Sequence, residues 1–249
     1  MANKDRTYTG INKILRAQYL ANFHSQNPYK QIEGPRGITP SSTFSDIKLY
    51  LGALETTTTS TIVCGTIDIS TVARYSSGKW VFNRSFTIDA CQSLILPTDA
   101  NAELPLEFII TNYGTFTFGS ALAAFDINGL FVNYGTFTNN GYQVNMYGIF
   151  RNYGTIINSS GHRLYLGAAT STSAFYNTGL LTNYGIFNML TGDANIIFYN
   201  YAGGQFNNIG SLTITSPTVF NNANGGACGT ATLTNTGTIT GAIGTACPP

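Results

Sequence analysis

Charged residues are scarce in this chain. Only 9% of its 249 residues are Asp, Glu, Lys or Arg, and the formal net charge is +1. An ordinary soluble domain carries roughly 25%. Because a nucleic-acid-binding surface needs several clustered cations against the phosphates, this composition argues against nucleic acid as the main partner. From residue 108 onward the formal charges are Asp126, Arg151, Arg163 and Asp193, and a surface so poor in charge is weakly protected against self-association.

Long apolar runs and metal-ligating clusters are missing as well. No segment approaches the roughly 20 consecutive apolar residues of a membrane-spanning helix, which predicts no membrane span. No apolar run of the kind found in secretory signals follows Met1. The two histidines, His24 and His162, lie far from any cysteine, and the sequence has no Cys-x-x-Cys motif. We therefore expect neither a metal nor another cofactor.

The sequence also lacks the marks of a catalytic site. Proteins that cleave polysaccharides use paired carboxylates or several Asp residues around a cation. Beyond residue 108 the chain offers Asp126 and Asp193 for such a role, and they lie several repeats apart. We predict that the protein is not an enzyme. A polysaccharide-degrading tailspike that depends on these two residues is the least favoured alternative.

What the chain does contain is a repeated seven-residue frame, apolar-x-Asn-x-Gly-x-apolar. Measured from glycine to glycine, its six copies lie 21, 19, 31, 25 and 27 residues apart. The asparagines of the six copies are Asn112, Asn133, Asn152, Asn183, Asn208 and Asn235. So regular a repeat predicts a solenoid in which each copy marks one turn.

The residues of the frame predict strands. Apolar residues and the asparagine recur with a period of two, and Thr, Tyr, Phe and Ile dominate. The glycine is expected to turn a corner through backbone angles that a side chain would forbid. We predict an all-β fold, a parallel β-helix with two strands and a looser third side per turn. Stacked turns would align the six asparagines in one hydrogen-bonded ladder. An apolar stack would lie beside it, formed by Phe116, Phe137, Ile156, Phe187, Leu212 and Ile239.

Four frames place a tyrosine between the asparagine and the glycine. These residues are Tyr113, Tyr134, Tyr153 and Tyr184. Stacked turns would bring them into one column on the surface. The column either braces successive turns or offers aromatic faces to a glycan.

The four cysteines form two pairs that are close in sequence. Cys64 and Cys91 are 27 residues apart, and Cys228 and Cys247 are 19 apart. Both separations approximate one turn, so each pair could cross-link neighbouring coils near one end of the solenoid. Buried free thiols are the alternative.

The N-terminal region differs from the repeats. Residues 1–55 predict a short α-helical segment, because residues 10–24 place Ile11, Ile14, Leu15 and Tyr19 at helical spacing and a second helix can begin after Ser41. This segment either caps the solenoid or docks it onto a partner. Residues 56–106 predict irregular first β turns, and residues 107–249 predict the regular solenoid.

Residues 107–241 resemble the right-handed parallel β-helices of secreted adhesins of the filamentous-haemagglutinin type, through the Asn-x-Gly-x-apolar repeats quoted above. They are also similar to β-solenoid proteins of phage and large DNA virus particles. The resemblance implies an architecture and transfers no catalytic residue.

A virion protein needs no secretory signal, which favours a virion over another extracellular surface assembly. We expect a structural protein that associates with copies of itself, as a homo-oligomer, or with other structural proteins. A receptor- or glycan-binding adhesin is the alternative.

Overall fold

The computed structural model describes residues 63–98, 100–119, 123–167, 173–189, 196–201, 203–215, 219–223 and 229–245. These residues fall within the compact unit Ile62–Pro248. The helical segment predicted in residues 1–55 lies outside the described residues.

The first elements of the described chain are short. They are β1 (Gly65–Thr66), a 3-10 helix (Ile69–Thr71), β2 (Ala73–Ser76) and β3 (Lys79–Phe82). The strands that follow succeed one another in regular groups of three. They are β4 (Phe86–Ile88), β5 (Gln92–Leu96), β6 (Asn101–Leu104), β7 (Ile109–Asn112), β8 (Thr115–Phe118), β9 (Ala124–Ile127), β10 (Leu130–Asn133), β11 (Thr136–Asn139), β12 (Gln143–Met146), β13 (Ile149–Asn152), β14 (Thr155–Asn158), β15 (Arg163–Leu166), β16 (Ser173–Asn177), β17 (Leu180–Asn183), β18 (Ile186–Met189), β19 (Ile196–Asn200), β20 (Gln205–Asn208), β21 (Ser211–Ile214), β22 (Val219–Asn222), β23 (Thr232–Asn235) and β24 (Thr238–Thr240).

From β4 onward, each turn of the coil contributes one strand to each of three sheets. Sheet 1 contains β4 and every third strand after it up to β22; sheet 2 contains β1 and the series from β5 to β23; sheet 3 contains β2, β3 and the series from β6 to β24. Corner 1 joins sheet 1 to sheet 2, corner 2 joins sheet 2 to sheet 3, and corner 3 returns to sheet 1. Neighbouring strands pair in parallel along the coil, whereas β2 and β3 form an antiparallel hairpin.

Alternation along each strand separates the core from the surface. On β8, for example, Phe116 and Phe118 are fully buried, whereas Thr115 is exposed. Because the turns are in register, inward residues of one sheet stack in columns. Five phenylalanines of sheet 1 stack with ring centroids 4.4–5.2 Å apart. They are Phe131, Phe150, Phe175, Phe198 and Phe220. Apolar burial along such columns is the main favourable contribution to folding.

The glycines of the frame meet a different requirement from the predicted one. A Cβ built at Gly135 would lie 2.1 Å from the carbonyl oxygen of Gly114, and one at Gly154 would lie 2.2 Å from that of Gly135. Neither residue has a positive φ. Glycine is needed because successive corners approach closely, backbone against backbone, so the prediction of a forbidden backbone angle was wrong.

The predicted all-β fold is confirmed as a parallel β-solenoid of about seven turns. The prediction of a loose third side was wrong, because sheet 3 is as regular as the other two. The predicted apolar stack was also wrong as a single column. Phe116, Phe137 and Ile156 lie in sheet 2, whereas Phe187, Leu212 and Ile239 lie in sheet 3.

Charge is distributed unequally over the three sheets. The described strands of sheet 2 contain no charged residue. Those of sheet 1 contain Arg151. Five charged residues lie on sheet 3, and they are Arg74, Lys79, Glu103, Asp126 and Arg163.

Candidate functional site

A ladder of asparagine side chains runs along corner 1. The Nδ2 atom of each asparagine donates to Oδ1 of the asparagine one turn further on, with N···O distances of 2.7–2.8 Å. The members of this ladder, called ladder 1, are Asn112, Asn133, Asn152, Asn177, Asn200 and Asn222. The first five are at most 1% exposed. Burial makes each of these hydrogen bonds costly to lose.

The same Nδ2 atoms also hold the backbone of the following turn. Asn133 donates to the carbonyl oxygen of Thr155 at 3.1 Å, and Asn152 donates to that of Leu180 at 3.1 Å. Each asparagine therefore joins two turns through its amide and fixes the start of the next sheet 2 strand. Both hydrogens of the side-chain amide are used, which a shorter or apolar residue could not reproduce.

A second ladder runs along corner 2. Its hydrogen bonds between side chains are again 2.7–2.8 Å long. The members of ladder 2 are Asn139, Asn158, Asn183, Asn208 and Asn235. Asn139 and Asn158 do not belong to the six quoted frames, so the repeat pattern missed them.

The single ladder predicted from the sequence is therefore wrong. Asn112, Asn133 and Asn152 lie in ladder 1, whereas Asn183, Asn208 and Asn235 lie in ladder 2. The frame recurs at both corners of one turn, six residues apart, so Asn177 and Asn183 have the same local surroundings. The 31-residue step between frames is one turn of 25 residues, from Asn152 to Asn177, plus the six residues to the next corner.

Ladder 1 ends inside the protein at its N-terminal side. Ile88 takes the position of an asparagine one turn before Asn112. The Oδ1 atom of Asn112 is buried and has no hydrogen-bond partner among the described residues. The ladder therefore begins at a local cost, because an unpaired buried acceptor is unfavourable.

Three of the four predicted tyrosines form a column at corner 1. The rings of Tyr113 and Tyr134 are 4.9 Å apart and nearly parallel, and those of Tyr134 and Tyr153 are 4.8 Å apart. These side chains are 36–49% exposed. Because each ring covers the face of the next, the column presents ring edges and hydroxyl groups to the solvent. Tyr184 lies apart from it, at corner 2, and is 47% exposed.

An aromatic cluster on the outer side of sheet 1 was not predicted. Tyr176 and Tyr199 stack at 6.0 Å, and the ring of Tyr201 lies edge-on to that of Tyr176 at 6.3 Å. The guanidinium of Arg151 lies 5.2 Å from the centre of the Tyr176 ring. Burial raises the pKa of Tyr201 to about 12 and also raises the pKa of Tyr176. The repeated Phe-Tyr-Asn at residues 175–177 and 198–200 was the signal that could have located this cluster.

The carboxylates of sheet 3 are occupied by neighbouring side chains. Lys79 donates to Glu103, which also accepts from Asn128 at 3.3 Å. Asn145 donates to Asp126 at 2.7 Å. The hydrogen bond with Glu103 raises the pKa of Lys79. Asp193 lies outside the described residues, so the expected separation of Asp126 and Asp193 by several repeats stays a prediction.

Metal-binding groups are not assembled in the part of the chain that the structure describes. No group of three or more His, Cys, Asp or Glu residues there is placed to hold an ion. Cys64 and Cys91 form a disulfide, with Cα atoms 5.1 Å apart. Cys228 and Cys247 lie outside the described residues. Within those residues, no helix has the length and apolar character to cross a membrane.

Comparison with known proteins identified no relative. No protein-family model, curated protein or solved structure matches this chain.

Proposed function

We propose that this protein is a non-enzymatic structural component of an assembly. The observation that carries the proposal is the continuity of ladders 1 and 2, which run without a break from Asn112 to Asn222 and from Asn139 to Asn235. Opening one turn would leave buried amides unpaired on both sides of the break. Such a coil resists local opening, which suits a stiff element of a particle or fibre.

The distribution of charge supports association with copies of the same chain. Seven successive turns of sheet 2 present Ser, Thr, Asn, Gln and aliphatic side chains, with no charged residue on the described strands. Charged side chains are the usual protection of a β-sheet against unwanted association. Sheet 2 is thus the surface on which we expect contacts with other copies or with other structural proteins.

We place the assembly in a virus particle, with an extracellular surface fibre as the second location. This placement rests on the resemblance of the repeat to β-solenoid proteins of phage and large DNA viruses. Low charge over most of the coil supports a packed environment in either case.

A glycan-binding adhesin is the second candidate, and the exposure of the Tyr113, Tyr134 and Tyr153 column favours it. Sugars bind aromatic residues chiefly through ring faces, and stacking leaves few faces free in this column. Binding to a glycan array that is lost in a Tyr134→Ala, Tyr153→Ala variant would support this candidate over a purely structural role.

The proposed function is tested by the assembly state of the full chain. We expect oligomers or fibres by light scattering coupled to size-exclusion chromatography, and by electron microscopy of the same fractions. Thr138→Lys, on the outer side of sheet 2, is expected to reduce assembly. Asn188→Lys, at the corresponding outward position of sheet 3, is the matched control. A chain that stays monomeric over a wide concentration range would count against the proposal.

A further inference from the structure

The first strand of sheet 2, β1, covers only part of the edge of the neighbouring strand β5. In β1 only two residues, Gly65 and Thr66, pair with Gln92 and Ser93 of β5. Both residues of β1 are exposed. A few further contacts hold this segment, including the hydrogen bond from Gln92 Nε2 to the Val63 carbonyl oxygen at 2.9 Å. Because the net contribution of a hydrogen bond to stability in water is small, these contacts hold β1 weakly.

The Cys64–Cys91 disulfide ties this cover in place. It joins the residue before β1 to the residue before β5, and both cysteines are exposed. A solvent-exposed disulfide belongs to the class that reductants reach most readily. The attachment of β1 therefore depends on a bond that the surroundings can break.

The edge of β5 that β1 covers carries no residue that would prevent pairing with another chain. β5 has the sequence Gln-Ser-Leu-Ile-Leu, without a charge or a proline, and Ile95 is 52% exposed. Edge strands usually carry Lys, Pro or a bulge that prevents pairing with another chain. In β5 no such residue is present, and the paired strand β1 blocks the edge instead.

We propose that the β5 edge is a docking site for a second copy of this chain, and that the Cys64–Cys91 disulfide controls access to it. Reduction transfers two electrons and two protons from a dithiol to the S–S bond, giving two cysteine thiols while the dithiol closes to its own disulfide. β1 then separates, and β5 pairs antiparallel with β5 of the second copy about a two-fold axis. Leu94 and Leu96 would meet their counterparts and extend the core across the interface.

A second copy is the occupant that fits this edge. The strand is uncharged over its whole length, so two copies meet without repulsion. Its alternation of buried Leu94 and Leu96 with exposed Ile95 is the same on both sides of a two-fold axis, so each inward residue finds an inward partner. The inference rests on the proposed structural function, because it names how self-association would be regulated.

The test compares the oxidised chain, the chain treated with a trialkylphosphine, and the double variant Cys64→Ser, Cys91→Ser. Light scattering coupled to chromatography is expected to show at least a twofold rise in mass on reduction. The double variant should show the same rise without reductant. Because this variant leaves Cys228 and Cys247 intact, it assigns the effect to the Cys64–Cys91 bond.

Two matched lysine variants distinguish pairing at the β5 edge from association through the surface of sheet 2. Ile95 and Ile157 occupy the same outward column of sheet 2, but Ile95 lies on β5 and Ile157 on the interior strand β14. In the double serine background, Ile95→Lys should restore the smaller mass, because two lysines would face each other across the new pair. Ile157→Lys should preserve the difference in mass between the disulfide-bonded chain and the double serine variant, whatever its effect on contacts made through the sheet 2 surface.

Each other outcome overturns the inference. Equal assembly in the oxidised and reduced states would reject the disulfide as a control and leave the proposed function standing. An equal effect of the two lysine variants would assign association to the sheet surface. Loss of the β-sheet circular dichroism on reduction would show unfolding in place of pairing. No assembly under any condition would reject the proposed function as well.

Discussion

The first turn and the middle turns of this solenoid are held together by different means. Among the described residues, a disulfide, a hairpin, a 3-10 helix and the Lys79–Glu103 ion pair each occur once, and all of them involve the first turn. The middle turns repeat one set of contacts, which are amide ladders, stacked phenylalanines and close glycine corners. Each repeated contact joins a turn to the next one, so it exists only where the neighbouring turn carries the matching residue.

This difference shows that the end of a repeat protein is stabilised by other interactions than its interior turns. Each interior turn is stabilised by the turn before it and the turn after it, so the same residues serve every time. Among the described residues the first turn has one such neighbour, and non-repeating interactions join it to the turn that follows. Ladder 1 shows the transition, because it stops at Asn112, where Ile88 replaces the next asparagine.

The largest expected difference in stability is between glycine substitutions in the two regions. Gly78 of the β2–β3 hairpin has a φ of +77° with open space around its Cβ position, whereas Gly154 has no space for a Cβ. Asparagine tolerates the left-handed region, so Gly78→Asn should cost less than about 1 kcal/mol. Gly154→Asn should cost about 3 kcal/mol or more, because two turns must separate. Urea unfolding of both variants measures the difference, and equal costs would contradict it.

Removing a ladder asparagine should have the next largest effect. Asn152→Ala would leave Asn177 Oδ1 and the Leu180 carbonyl oxygen without this donor, at a cost of about 2 kcal/mol. Double-mutant cycles then test the register. Asn152 and Asn177 should couple by about 1 kcal/mol, whereas Asn152 and Asn183, in different ladders, should be additive within about 0.5 kcal/mol. The reverse result would restore the single ladder expected from the frame spacing.

A smaller effect is expected for the ion pair of the first turns. The Lys79 and Glu103 side chains are 37% and 25% exposed. Lys79→Met should therefore lower the free energy of unfolding by less than about 1 kcal/mol at neutral pH. Because the pKa of Lys79 is raised above 10.5, the contribution of the pair is present below that pH and is lost as the pH rises through the folded-state value. A loss as large as that of Asn152→Ala would contradict the comparison.

The smallest effect at neutral pH concerns Tyr201. Its pKa is raised from 10.0 to about 12 in the folded protein. Between these values the unfolded chain loses the phenol proton while the folded chain keeps it, so stability falls as the pH rises. Tyr201→Phe should leave stability near pH 7 almost unchanged and make the alkaline decline less steep. Urea midpoints at a series of pH values up to about 11 measure this slope, and an unchanged slope would contradict it.

Local chemistry predicted much of the middle region. Period-two alternation predicted strands such as Thr115–Phe118, and the recurring Asn-x-Gly predicted stacked turns with amide contacts. The regular third sheet was missed, because strands such as Arg163–Leu166 carry no asparagine to mark them. The grouping of asparagines was missed because the frame is the same at corners 1 and 2.

The sequence alone determined the class of fold and the identity of the inward residues, because these follow from alternation within a few residues. The reason for glycine at the corners lies in the tertiary structure, because it is the backbone of the neighbouring turn that leaves no space for a Cβ. The tertiary structure decided which copies of the frame stack on each other. Asn177 and Asn183 have nearly identical neighbours in the chain, so nothing local separates them. Only the length of the preceding turn brings Asn177 next to Asn152 and Asn183 next to Asn158.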